Sequence, residues 1–273
     1  MSRLPTLFIS HGAPSFALEP GTAGPALTAL GQQLPRPAAV LVVSPHWMTL
    51  EPRVATTAAA QTLHDFGGFD PALYELGYPA PGQPTLARRA LAQLRAAGWP
   101  AKADPDWGLD HGAWVPLHFL YPQADVPVFQ VSMPMELDGP GAYAYGQALA
   151  PLRHEGVLIV GSGSLTHNLR EVRFHDPDAE PYVVEFAQWI AEAVVAQDHE
   201  RLQDAMHQAP HARRAHPTLE HFWPLLVAAG AAGVDPKQGA ARRLSGGVVH
   251  GALSMDSFVL GEATRQARGS AGG

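Results

Sequence analysis

Short runs of Val, Ile and Leu recur along the chain, each stopping at a polar or Gly/Pro cluster, as the buried strands of an α/β sheet do. The clearest are 4–10, 39–44, 126–133 and 156–160. Between them lie segments with helical periodicity, 24–34, 84–97, 139–153, 181–197 and 219–229, several opened by Pro or Gly and closed by Gly or Pro. Strands alternating with helices predict an α/β fold: a single domain whose central, mostly parallel or mixed sheet is flanked by helices on both faces. Two segments depart from strict alternation. Residues 53–59 follow the second strand too closely for a crossover helix, and 251–261 reads as a hairpin partner or edge strand. There is no internal repeat and no separating linker, so one domain is expected over 1–268, with a disordered tail at 269–273. The stretch 62–84 carries Phe66, Phe69, Tyr74 and Tyr78 among Gly and Pro. It is long for a connector and reads either as a pocket wall or lid or as a packed Ω-loop.

The 273 residues are 46% hydrophobic and 16% charged, enough apolar side chain to offset the ordering entropy of a folded domain. A net charge of −7, with Arg only in isolated pairs such as Arg88-Arg89, Arg213-Arg214 and Arg242-Arg243, leaves no basic footprint for nucleic acid. Cysteine is absent, which removes disulfides, thiolate nucleophiles, iron-sulfur clusters and Cys-type zinc sites together. Any metal must sit on His, Asp or Glu. No apolar stretch approaches the roughly 18 residues of a membrane span, and the first ten residues show no cleavage pattern, so a soluble, cytoplasmic protein is expected.

The chain holds 14 His against 2 Lys, and the positions of the imidazoles carry the chemistry. His11 and His46 each follow a predicted strand. His167 follows the fourth through Gly161-Ser162-Gly163-Ser164-Leu165-Thr166. Ligand sites in α/β sheets form outside the carboxyl ends of strands, so these imidazoles can converge without sharing a local motif. His221 stands near the start of a predicted helix that Thr218 could cap, with Glu220 beside it as a rival ligand. His111 follows Asp110 before a helical run, although neighbours in sequence rarely pair their side chains. The Gly-rich segment lacks the third Gly of a dinucleotide fingerprint and is not a G-x-S-x-G elbow, so Ser162 and Ser164 are read as shaping a turn. A lone His is most often a hydrogen-bonded or surface imidazole, and that ordinary role is assigned to His64, His118, His154, His175, His199, His207, His211, His216 and His250.

Taken together, Ile9-Ser10-His11-Gly12-Ala13-Pro14, Ser44-Pro45-His46-Trp47, Asp65-Phe66-Gly67-Gly68-Phe69 leading to Tyr78-Pro79-Ala80-Pro81-Gly82, Asp110-His111-Gly112-Ala113-Trp114, the segment from Gly161 to Asn168 and Glu220-His221-Phe222 resemble class III (LigB-like) extradiol ring-cleavage dioxygenases. The branch most like this chain is that of the DOPA 4,5-dioxygenases. The motifs keep their order from Ser10 to about Leu226.

The resemblance implies one divalent metal on His11, His46 and His221, with His167 as acid/base or possible fourth ligand and His111 touching substrate or supporting the ligands. Its protocatechuate branch uses two His and one Glu, so Glu220 stays open as the third ligand. Fe(II) is the ion implied for ring cleavage, and an all-His set also suits Zn(II) in purified protein. The implied partners are a small aromatic catechol, DOPA-like, and O2, with a muconic semialdehyde-type product. The chain would be a monomer or small homo-oligomer. Trp47, Phe66 and Tyr78 are candidate walls for a flat ring, or core residues. Two rivals stand beside this reading, a zinc-dependent hydrolase and a non-enzymatic Memo-like binding protein.

Overall fold

The computed structural model describes residues 3–174, 178–233 and 241–261. His175 and the expected tail at 269–273 lie outside the described residues. A six-stranded sheet forms the centre, built from β1 (Thr6–Ser10), β2 (Ala39–Val43), β3 (Val128–Gln130), β4 (Val157–Gly163), β5 (Arg242–Leu244) and β6 (Ser257–Leu260). Their order is β3-β2-β4-β1-β6-β5. The first four run parallel, and β6 is antiparallel to both β1 and β5, so the sheet is mixed as expected.

Successive side chains of a strand face opposite ways, so a continuous apolar run feeds two cores. Leu7, Ile9, Val40, Val42, Leu158 and Val160 pack on one face with α1 (Ala23–Gln33) and α3 (His111–Leu120). Phe8, Leu41, Val43, Val157 and Ile159 pack on the other with α2 (Pro84–Ala96), α4 (Gly139–Leu149), α5 (Pro181–Val195) and α6 (Trp223–Ala232). Helices therefore cover both faces. No helix among the described residues is long and apolar enough to cross a membrane.

Every residue of α6 is buried, as a helix apolar all round must be. Both of its ends are fixed. The buried Arg153 donates to the carbonyls of Ala231 and Ala232 at its C-terminus and to Leu4 O. At the N-terminal side, Gly161 and Gly163 have no side chain to block the approach of the Pro224 and His221 carbonyls.

Several boundaries differ from the sequence reading. The fourth strand extends to Gly163, so Gly161 and Gly163 belong to the strand rather than to a turn after it. The helix expected over 139–153 ends at Leu149, and a 3-10 turn, Ala150–Glu155, takes over because Pro151 has no N–H to continue the α-helix. The helix expected from 219 starts at Trp223 without a side-chain cap, and Thr218 instead donates to Glu220 Oε1 at 3.0 Å. Of 53–59, Arg53–Ala55 forms a separate parallel pair with Lys102–Asp104. Within 251–261, Leu253–Ser254 pairs with Val248–Val249, while β6 is interior and β5 takes the edge.

Candidate metal centre

The site lies beyond the carboxyl ends of β1, β2 and β4. His11 continues β1 by one residue, its N–H donating to Gly163 O at 2.9 Å. Gly12 then turns away with φ of +61°, a conformation that favours glycine. His46 hangs from a tight turn after β2, where its N–H reaches Ser44 Oγ at 3.3 Å and Trp47 N–H reaches Ser44 O. Because β4 lies between β2 and β1, the two imidazoles approach each other over its end. His221 precedes α6, and its carbonyl accepts from Ser164 N–H at 3.0 Å. His167 follows β4 in a segment held by Leu165 N–H to Ser10 Oγ and by His167 N–H to Ala215 O.

These turns bring ligand atoms of His11, His46 and His221 within 4.8 Å of one another. The Nε2 atoms of His11 and His46 are 3.2 Å apart. Two nitrogens bound to a common ion at 2.0–2.1 Å and a tetrahedral angle would be separated by about 3.3 Å, so the pair fits such an ion. His167 stacks on His221 with ring centroids 3.4 Å apart and planes 12° from parallel. Among the described residues no group hydrogen-bonds to the His167 ring. His111, at the start of α3, lies 3.9 Å from the His46 ring.

Neighbouring polar groups assign the tautomers. Ser162 donates its hydroxyl to Gly112 O, so its Oγ accepts from His11 Nδ1–H at 3.0 Å, which leaves Nε2 with a free lone pair. Glu220 Oε1 accepts from His221 Nδ1–H at 3.0 Å, with the same result. Glu220 thus stands behind His221 as its hydrogen-bond acceptor, the usual place of a carboxylate beside a ligating imidazole. Burial, and then the neighbouring imidazoles, push His11 and His221 well below the ordinary histidine value, and His46 is brought to about 3 by burial first and then by His111. Neutral imidazoles, with the Nε2 lone pairs of His11 and His221 left free, are the kind of donor a divalent cation requires.

The same 4.8 Å spacing also groups Asp65 with His46 and His111, and Glu220 with His167 and His221, and two acids flank the start of α3. Asp110, fully buried, caps α3 through Ala113 N–H and receives Gln130 Nε2 at 2.7 Å. Burial raises its carboxyl to about 6. The carboxylate against His111 is Asp65, whose Oδ2 lies 3.0 Å from Nδ1 and whose Oδ1 lies 2.8 Å from the His111 backbone nitrogen. Burial works to raise Asp65, but the His111 contacts outweigh it and its pKa is lowered.

Of the three aromatic candidates, Phe66 stands edge-on to His111 at 5.7 Å. Tyr78 is buried and donates its hydroxyl to Tyr121 O at 2.9 Å, and Trp47 is buried and stacked on Trp107 at 4.7 Å. Those two rings are engaged in packing. The 62–84 loop is packed as well, with a 3-10 turn at Pro71–Glu75 and Tyr78 N–H bound to Thr62 Oγ1. Sequence reasoning singled out neither Asp65 as a partner of His111 nor Ser162 as a partner of His11, and no local spacing signals either contact.

Comparison with known proteins gives a consistent set of relatives. The profile described as catalytic LigB subunit of aromatic ring-opening dioxygenase matches residues 8–252. The chain is 42% identical over 236 residues to 4,5-DOPA dioxygenase extradiol of Beta vulgaris, covering 85% of this chain and 88% of that one. It is 37% identical over 265 residues to the protein of the same name in Escherichia coli K12, covering 95% and 96%. A crystal structure of an uncharacterized protein from Escherichia coli K12 superposes with a TM-score of 0.76 at 33% identity, covering 95% of this chain and all of that one.

Proposed function

The chain belongs to the LigB family of aromatic ring-opening dioxygenases and is an oxygenase of the extradiol type; we propose that it cleaves a DOPA-like catechol with O2, on one divalent ion held by His11, His46 and His221. Both atoms of O2 enter a single muconic semialdehyde-type product. The observation that carries the ligand assignment is the convergence of three imidazoles within 4.8 Å, two of them with Nδ1–H already given to Ser162 and Glu220.

When bound, a redox-active ion such as Fe(II) supplies the electronic path between a closed-shell catechol and triplet O2 and holds the two together. The same donors accept Zn(II), which has no redox change and would be inert in this reaction. The protein's own groups do the rest. His167 takes a catechol hydroxyl proton and returns one as the product forms. Burial lowers its pKa, outweighing the opposing charge of Glu220, so it is a neutral base at pH 7. His111 accepts a hydrogen bond from substrate, and Phe66 provides an apolar edge beside it.

The test is anaerobic reconstitution with Fe(II) or Zn(II), followed by O2 uptake and visible absorbance with a panel of catechols that includes DOPA. One O2 consumed per catechol with a yellow product, from the iron form alone, is expected. No uptake with any catechol, with ester or amide hydrolysis by the zinc form, would overturn the reading in favour of a hydrolase.

A further inference from the structure

We propose that Asp65 is the positioning residue that locks His111 as its Nδ1–H tautomer and makes the aromatic loop and that imidazole one rigid unit; the catalytic consequence rests on the dioxygenase reading above. Both Asp65 oxygens are used on one residue, Oδ1 by the His111 backbone N–H at 2.8 Å and Oδ2 by the ring Nδ1 at 3.0 Å. An ionised carboxylate accepts only, so Nδ1 must carry the proton, and the Nε2 of a neutral ring is then purely an acceptor. The backbone contact also satisfies one of the orphan N–H groups at the start of α3, so the same carboxylate sets both the position and the tautomer of the ring. Asp65 Oδ2 lies 3.9 Å from His46 Nδ1, too far for a hydrogen bond, so its polar commitment is to His111.

The residues around Asp65 show why a loop residue can hold such a position. Leu63 N–H bonds to Leu109 O, Trp114 Nε1–H to Leu63 O, and His64 Nε2 lies 3.0 Å from Leu76 O. Phe66 packs against Tyr74 at 5.2 Å and Phe69 at 5.6 Å while meeting His111 edge-on. The carboxylate that orients the ring and the apolar edge beside it are therefore consecutive residues of one pinned segment. A substrate hydroxyl meets an acceptor nitrogen only while that segment is in place.

Asp65→Asn inverts the device. The amide oxygen still accepts the backbone N–H, but the NH2 group now faces Nδ1 and can only donate, which forces the Nε2–H tautomer. The experiment is long-range 1H–15N correlation of the histidine rings in the diamagnetic zinc-loaded protein, for wild type, Asp65→Asn and Phe66→Leu, together with kinetics of the iron-loaded forms. His111 is expected as Nδ1–H in wild type and Phe66→Leu, and as Nε2–H in Asp65→Asn. That last variant should keep its metal content and a KM within about threefold while kcat falls about 100-fold or more. An Nε2–H His111 in the wild type, or an unchanged tautomer or kcat in Asp65→Asn, would overturn the proposal. If the wild type consumed no O2 with any catechol, the dioxygenase reading would fail, while the tautomer comparison would still decide for or against the clamp.

Discussion

The Nδ1 atom of His11 lies 3.0 Å from the Oγ of Ser162, a residue that the parallel pairing of β1 and β4 sets directly opposite Ile9. Ser162 donates its hydroxyl hydrogen bond to Gly112 O, so one hydroxyl connects the end of β1, the end of β4 and the first turn of α3. A strand serine thereby fixes which nitrogen of His11 faces the other imidazoles.

Ser162→Ala removes that acceptor and leaves Nδ1–H buried without a partner. Loss of such a support typically costs a ligand 10–100-fold in metal affinity. Titration of the apoprotein with Zn(II) is expected to show a weakening of about that size with the fold intact by circular dichroism. Unchanged affinity would mean the β1–β4 pairing alone holds the ring.

His221 and Glu220 separate by substitution. His221→Ala is expected to abolish stoichiometric metal binding, whereas Glu220→Gln keeps the ligand and weakens binding by about tenfold or more. Metal content by mass spectrometry after dialysis reads both. The reverse pattern would make Glu220 the ligand.

His11→Ala or His46→Ala is expected to remove metal and turnover together. His167→Ala should retain the metal and lose kcat by about 100-fold or more, the usual worth of a positioned acid/base. A metal-replete His167→Ala protein with normal turnover would end that role.

Gly163→Ala tests the backbone that carries His221. A Cβ at this position runs into the His221 carbonyl, which is main chain and has little room to yield. The expected cost is about 1–3 kcal/mol of stability, with weaker metal binding because the ligand is displaced. Urea denaturation and metal titration of the same protein read the two effects.

The pH dependence of stability is expected to carry the mark of His216. Burial, against the opposing pull of Leu165 O, brings its pKa to about 4, and its buried Nδ1 has no partner among the described residues. Between pH 6.5 and about 4 the unfolded chain binds this proton and the folded one does not. The contribution is therefore complete above 6.5 and is lost as pH falls toward 4, by up to about 3 kcal/mol. Asp110, raised to about 6, works in the opposite direction over its own range and cancels when wild type is compared with His216→Gln. The variant should show a shallower loss of stability across that interval in denaturant melts, and an equal slope would contradict the assignment.

The apolar runs and their Gly/Pro boundaries determined the alternation of strands and helices, because strand and helix periods are local properties of a chain. They also placed His11, His46 and His167 at strand ends, where α/β sheets gather ligands. Their convergence with His221 depended on strand order, since His11 and His46 face each other only because β4 runs between β1 and β2. Gly161 and Gly163 looked like a turn because glycine signals a turn locally, but tertiary packing used them to admit the carbonyls of Pro224 and His221. Tyr78 was legible only as a ring wall or a core residue, and the hydrogen bond of its hydroxyl to Tyr121 O, 43 residues away, left no trace in the local sequence. The contacts that orient the imidazoles were beyond sequence for the same reason. Asp65 and His111 are 46 residues apart and Ser162 and His11 are 151 apart, and a hydrogen bond between distant residues leaves no periodicity to read. Even adjacent Glu220 and His221 were ambiguous, because neighbouring residues can share a ligand site or support one another, and only the folded geometry set Glu220 Oε1 at 3.0 Å from His221 Nδ1.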